Sequence, residues 1–248
     1  MSGWRDEDAP EDGSWRNGNS PENDGFRSGG FREDLRQTLN RIENNAPGTL
    51  GLIFVNVILF LWAETHGGSQ NTGTLLRMGA VFWPKIMGDG EYWRLLTAAF
   101  LHFGLDHIAN NMLILALMGH RLERAMGTLR FLVLYLLSAV LSNAASLYLS
   151  PAEDLPFTVS AGASGAVFGV IGGLIAVVIR NRGRLEGLST RQLLFFAGLS
   201  LYYSAAGANV DNMAHFSGLV FGFLLAMILY RRGARRVSPR PSPRGSGP

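Results

Sequence analysis

The chain has 248 residues, of which 47% are hydrophobic and none is cysteine, and its formal net charge is +3. The lack of cysteine excludes disulfide bonds, a thiolate nucleophile and a cysteine-based metal site. Five of the first 12 residues are acidic and precede any apolar run, a pattern that argues against a secretory signal peptide or an organellar transit peptide.

The two ends of the chain differ in composition from its middle. Residues 1–46 are rich in Gly, Asn, Asp, Glu, Ser and Arg and contain only isolated aromatic residues. Such a segment cannot bury enough apolar surface to fold, so we predict a disordered arm. Residues 233–248 combine Arg with repeated Ser-Pro, which predicts a disordered basic tail whose partner is an anionic lipid surface. The folded domain is predicted over residues 47–232.

Apolar runs long enough to cross a bilayer fill this middle region. A membrane helix needs about 20 mostly apolar residues, or fewer when protein covers its ends. Six segments fit this description: residues 49–65, 104–119, 128–149, 161–179, 191–207 and 211–230. The second is the weakest, because Asp106, His107, Asn110 and Asn111 lie in its first turns. The sequence therefore predicts an all-α membrane protein, a bundle of six transmembrane helices.

Arginine residues cluster in alternate connections between these spans. They precede the first span, follow the sixth, and lie between the second and third and between the fourth and fifth: Arg36, Arg41, Arg121, Arg124, Arg130, Arg180, Arg182, Arg184, Arg191 and Arg231. The loop between the third and fourth spans instead contains Glu153 and Asp154. Because cytoplasmic loops are enriched in Lys and Arg, we expect a multi-pass cell-membrane protein with both termini in the cytoplasm. Heavy use of Arg beside the single Lys85 favours a prokaryotic source.

The polar residues of the even-numbered spans fall at one depth in this topology. The second, fourth and sixth spans all begin at the outer side, and their first turns contain His107 with Asn111, Ser164, and His215. Polar groups inside a membrane are costly unless they have partners, and they usually mark a functional site. The pattern predicts one water-accessible pocket below the outer surface.

Small residues indicate how the fourth and sixth spans pack. Gly165, Gly169 and Gly173 form consecutive G-x-x-x-G pairs, and Gly218 with Gly222 repeats the spacing. Such pairs let helix backbones approach closely. Packing along these faces would bring Ser164 and His215 within hydrogen-bond distance. The alternative is that the glycines serve packing alone and Ser164 only caps a helix.

Serine and histidine in such a pocket are typical of nucleophilic catalysis. A serine hydroxyl becomes a useful nucleophile when a positioned imidazole removes its proton, so His215 is the candidate base for Ser164. The Ser164 amide, in the first turn of a helix, is free to donate to a developing oxyanion. His107 and Asn111 are four residues apart on one helix face and are candidates for further oxyanion donors. A polar contact between helices is the alternative for these two.

The ordered set of motifs is similar to that of the rhomboid family of intramembrane serine proteases, over roughly residues 48–232. The matching residues are Trp93-Arg94, His102, His107, Asn111, Glu123, Gly127, Gly162-Ala163-Ser164-Gly165, Val210-Asp211-Asn212, Ala214-His215, Gly218 and Gly222. The resemblance implies a catalytic dyad of Ser164 and His215 without a third carboxylate, and an oxyanion site built from His107, Asn111 and the Ser164 amide. Phe168, where many members have Tyr, and Ser217, where Gly is common, depart from the pattern.

Three other classes of protein share some of these sequence features. A soluble serine hydrolase with a G-x-S-x-G motif is excluded because residue 166 is Ala. A channel or transporter would be expected to carry polar residues through the inner halves of its spans, whereas the inner halves of the fourth and sixth spans are almost wholly apolar here. A catalytically silent rhomboid-like module for binding or quality control of membrane proteins is the remaining alternative. We expect a transmembrane protein substrate and the lipid bilayer as partners, with no cofactor, metal or nucleic acid, and the oligomeric state is open.

Overall fold

The computed structural model describes residues 46–149, 158–206 and 210–231. The predicted disordered arm, apart from its last residue, and the basic tail lie outside the described residues. So do Glu153 and Asp154 of the predicted acidic loop. The elements in chain order are α1 Pro47–Thr65, α2 Thr72–Met78, β1 Val81–Phe82, α3 Trp83–Asp89, α4 Arg94–Thr97, a 3₁₀ turn Ala98–Phe100, α5 Gly104–Ile114, a π-helical turn Leu115–Gly119, α6 His120–Met126, α7 Thr128–Leu149, β2 Val159–Ser160, α8 Ser164–Arg180, β3 Arg184–Leu185, β4 Leu188–Ser189, α9 Thr190–Ala206 and α10 Asn212–Leu229.

In the described part of the chain, each segment predicted as a span is mainly helical, and the strands are two antiparallel pairs of two residues each, β1 with β2 and β3 with β4. Among the described helices, three, α1, α7 and α10, are long and apolar enough to cross a membrane. The bent pair Arg94–Phe100 and Gly104–Met126 raises the number to as many as four. The described chain is therefore that of an all-helical membrane protein. The count of six spans stays a prediction.

Helix α8 forms the centre of the bundle. It is apolar but has only 17 residues, and every residue from Gly165 to Val178 is buried. A helix that neighbouring helices surround in this way meets protein rather than solvent or lipid along its sides. This explains why its sequence is apolar all round instead of apolar on one face.

Helices α8 and α10 pack backbone to backbone through their glycines. A methyl group added to Gly218 would lie 2.2 Å from the carbonyl oxygen of Gly165, and one added to Gly222 would lie 2.0 Å from that of Gly169. No side chain can occupy such space, so these positions require glycine. The G-x-x-x-G spacing predicts this contact, and the structure confirms it.

The start of α1 is held by a buried carboxylate from α6. Glu123, 1% exposed, accepts hydrogen bonds from the backbone amides of Gly48 and Thr49 at 2.8 and 2.7 Å. It also accepts from the hydroxyls of Thr49 and Thr128 at 2.7 and 2.8 Å. The amides in the first turn of a helix lack intrahelical acceptors, and a carboxylate placed there also complements the helix dipole. Glu123 thus joins the beginnings of α1 and α7.

We expect Glu123→Gln to lower the free energy of unfolding by about 2–4 kcal/mol, because an amide nitrogen would face donors and leave some of them unpaired. Thermal unfolding of the purified protein in detergent measures this. Glu186→Gln is the matched control, since Glu186 pairs with Arg124 at 3.1 Å where both side chains are about one third exposed. Such a partly exposed pair contributes at most about 1 kcal/mol. Equal losses in the two variants would contradict the structural role of Glu123.

Candidate active site

Ser164 is the first residue of α8, and the segment before it is fixed from two sides. Strand β2 pairs with β1 of the long loop after α1, with Val81 opposite Ser160. Gly162 then donates its amide to the carbonyl of Ala98 at 2.9 Å. Ser164 is half-buried, and its amide lies in the first turn of a helix, where the amides are free of intrahelical acceptors.

His215 lies in the first turn of α10, which Asp211 caps. The Asp211 carboxylate accepts from the backbone amide of Ala214 at 2.9 Å, as capping residues at this position do. It also accepts from the hydroxyl of Ser146 on α7 at 2.7 Å and from that of Ser160 on β2 at 3.1 Å. The start of α10 is therefore fixed to α7 and to the strand that leads into Ser164.

The ends of the helices that carry Ser164 and His215 lie side by side. A methyl group added to Gly165 would lie 3.6 Å from the carbonyl oxygen of Ala214. One helical turn after Ser164, the ring of Phe168 stacks on the imidazole of His215 with 4.5 Å between ring centroids and 20° between planes. Among the described residues, the His215 ring is hydrogen-bonded to Ser204 rather than to Ser164.

His107 lies on α5, and its ring faces Gly162 and the hydroxyl of Ser164. A methyl group added to Gly162 would lie 3.0 Å from His107 Nε2 and 3.5 Å from Ser164 Oγ, so the imidazole and the hydroxyl both border Gly162. The amide of Phe103 donates to His107 Nδ1 at 3.4 Å. Since Nδ1 accepts this bond, the ring proton belongs on Nε2, the nitrogen that faces Gly162.

Asn111 is buried one turn further along, 3% exposed, and its Nδ2 has no hydrogen-bond partner within the described residues. A buried amide of this kind has donors available for a ligand. His102, a residue of the family pattern, is also buried, and its ring meets that of His107 edge to face at 5.1 Å. Neither ring nitrogen of His102 has a partner in the described part of the chain.

Two contacts of the site are not apparent from the sequence. Ser204 of α9 reaches His215 Nδ1, and Ser142 of α7 lies where a methyl group on Gly165 would be, 2.2 Å from the added carbon. In both cases the sequence shows only one of several serines in an apolar helix, and such serines are common and carry no information about their partners. Within the described ranges, no group of three or more His, Asp or Glu residues is arranged to hold a metal ion.

Residues 89–232 match the family model described as the Rhomboid domain. The match covers more than half of the chain and includes His107, Asn111, Ser164 and His215. The chain belongs to the rhomboid family.

Relatives of this rhomboid occur in a bacterium and in a plant. The chain is 36% identical over 200 residues to rhomboid protease GluP of Bacillus subtilis (strain 168), which covers 80% of this rhomboid and 38% of the relative. It is 36% identical over 162 residues to RHOMBOID-like protein 7 and over 197 residues to RHOMBOID-like protein 4 of Arabidopsis thaliana, matches that cover 50% and 48% of those proteins. This rhomboid thus spans half of these relatives or less. Its prokaryotic source stays a prediction.

Proposed function

We propose that this rhomboid is an intramembrane serine endopeptidase that hydrolyses a peptide bond in or near a transmembrane segment of a membrane-protein substrate. The observation that supports this most strongly is the stacking of Phe168, one turn after Ser164, on the imidazole of His215. It puts the candidate nucleophile and the candidate base on neighbouring helix ends. The protease relative of Bacillus subtilis supports the same class of reaction.

In the proposed reaction Ser164 Oγ attacks the carbonyl carbon of the scissile bond while His215 Nε2 takes the hydroxyl proton. The tetrahedral intermediate collapses, His215 returns the proton to the leaving nitrogen, and an ester to Ser164 remains. A water molecule then attacks the ester carbonyl, with His215 again taking and returning a proton, and Ser164 is regenerated. Within the described residues the ring of His215 is hydrogen-bonded to Ser204 and not to a carboxylate, and the proposed reaction uses no cofactor or metal.

The oxyanion of each tetrahedral intermediate would be bound by three donors: the Ser164 amide, Nε2–H of His107 and Nδ2 of Asn111. The free nitrogen of Asn111 and the direction in which His107 Nε2 points support this arrangement. Donors that are already oriented toward developing charge stabilise the transition state strongly, because no reorganisation is needed during the reaction.

We expect Asn111→Ala to lower kcat by about 100-fold or more, because the loss of one oxyanion donor removes about 3 kcal/mol of transition-state stabilisation. Reporter cleavage at saturating substrate measures it. Asn110→Ala is the matched control, because Asn110 is exposed and belongs to the adjacent position of the same helix. If both variants cleave at the wild-type rate, Asn111 is a packing residue and not an oxyanion donor.

The same proposal includes the topology predicted from arginine placement, with six spans, both termini in the cytoplasm and the dyad toward the outer face. A peptide bond within a regular helix is hydrogen-bonded and shielded, so a suitable substrate has small or helix-weakening residues near its outer end. The catalytically silent alternative retains the fold and binds such a helix without cleaving it.

A labelling experiment decides between the protease and the silent module. The purified protein is reconstituted in liposomes, incubated with a fluorophosphonate probe and digested, and the modified peptide is identified by mass spectrometry. We expect one modified residue, Ser164, and loss of reporter cleavage in proportion to the labelled fraction. Labelling elsewhere, or an unlabelled protein that binds the reporter and leaves it intact, would contradict the proposal.

A further inference from the structure

Ser204, near the end of α9, is hydrogen-bonded to the imidazole of His215. Its Oγ lies 2.6 Å from His215 Nδ1 and donates to Oδ1 of Asn212 at 2.5 Å. Ser204 is 8% exposed, while its neighbours Tyr202 and Tyr203 are each 68% exposed. This stretch of α9 therefore directs its large aromatic side chains outward and a small hydroxyl inward, onto the ring of the candidate base.

The two hydrogen bonds of Ser204 determine which nitrogen of His215 carries the proton. A serine hydroxyl has one proton to donate and lone pairs to accept with. Because Asn212 Oδ1 takes that proton, Ser204 Oγ faces Nδ1 with a lone pair, and Nδ1 must be the donor. Nε2 is then unprotonated. This is the tautomer that a histidine needs to take a proton from Ser164.

We propose that Ser204 is a positioning residue that holds His215 in the tautomer with Nε2 free. This inference rests on the proposed protease function. It adds to Ser164 and His215 a third residue that is not one of the oxyanion donors. Ser204 belongs to α9, whereas His215 and Asn212 belong to α10. A displacement of α9 by about 1 Å would carry Oγ out of hydrogen-bond range of Nδ1. The orientation of the base is therefore coupled to the docking of α9.

Kinetics of three variants test this role. We expect Ser204→Ala to lower kcat by about 10-fold to 100-fold, part of what a positioned general base contributes, with KM changed less than about twofold. The rate of fluorophosphonate labelling at Ser164 should fall by the same factor. Ser204→Thr keeps the hydroxyl and should retain most of the activity. Ser200→Ala, one turn earlier on the same helix face and half-buried, is the control and should match the wild type.

The tautomer itself is measured by ¹⁵N NMR of protein labelled at its histidines, with the His215 signals identified by their loss in His215→Asn. We expect Nδ1 to be protonated in the wild type and the proton to be shared between both nitrogens in Ser204→Ala. A wild-type kcat in Ser204→Ala, or a wild-type spectrum with the proton on Nε2, would overturn the inference. Reporter cleavage by Ser164→Ala at the wild-type rate would instead refute the protease function and leave the tautomer assignment standing.

Discussion

Replacement of Ser164 by Ala is expected to reduce cleavage of a single-span reporter by at least about 10⁴-fold, to the uncatalysed background. Ser164 is the proposed nucleophile, whereas Asn111 and His107 are proposed donors and the hydroxyl of Ser204 faces Nδ1 of His215, the nitrogen that is not the proposed base. His215→Ala should have an effect of similar size, since the hydroxyl would keep its proton. The measurement is the single-turnover rate in detergent and in liposomes, together with labelling by the fluorophosphonate probe.

Residues that act as one unit lose their function together, so the double variant Ser164→Ala with His215→Ala should be no slower than either single variant. Thermal unfolding shows whether the variants are folded. Ser164→Ala should unfold close to the wild-type temperature, whereas His215→Ala removes a buried ring that stacks on Phe168 and should unfold at a lower temperature. Equal product from the wild type and both single variants would show that this dyad does not perform the reaction. Product at the uncatalysed background from all three proteins, the wild type included, would favour the binding module.

Gly222→Ala is expected to lower the free energy of unfolding by about 3 kcal/mol or more and to remove activity with it. The added methyl group would lie 2.0, 2.4 and 2.5 Å from three backbone atoms of Gly169. Backbone cannot turn aside as a side chain does, so α8 and α10 would have to separate. Their separation would move Ser164 away from His215.

Gly198→Ala provides the matched control for this substitution. Gly198 lies on α9, and a methyl group there meets nothing within 4 Å. Its replacement should change stability by no more than about 1 kcal/mol, with a small gain from the better helix propensity of Ala. Both variants are compared by unfolding in detergent and by reporter cleavage. A wild-type stability for Gly222→Ala would mean that the close approach of the two helices is not required.

The positions of the helices and the order of the site residues follow from the sequence because both depend on local patterns. Apolar runs mark α1, α7 and α10, and glycine spacing predicts the contact between α8 and α10. Span number does not follow in the same way. Helix α8 is short and wholly enclosed, and the segment from Arg94 to Met126 bends by 92°. Helix length and hydropathy therefore do not identify either element as a straight transmembrane helix.

Contacts between side chains from distant helices are the part that sequence patterns do not specify. Glu123 is visible in the sequence as one acidic residue of a motif, yet its role comes from donors 74 and 75 residues earlier in the chain. Ser204 is similar, because its partners belong to the next helix and its own surroundings are apolar. Each depends on how two helices lie against one another, which is a property of the packed bundle.

The Asp211 carboxylate is bonded to three elements at once: the first turn of α10, α7 through Ser146, and β2 through Ser160. A substrate that displaced β2, the strand before Ser164, would therefore also displace the start of α10, the helix that contains His215. The proposed nucleophile, Ser164, and the proposed base, His215, would then move together. The residues around the proposed site would then adapt to substrates of different shape, while the distance between Ser164 and His215 is preserved.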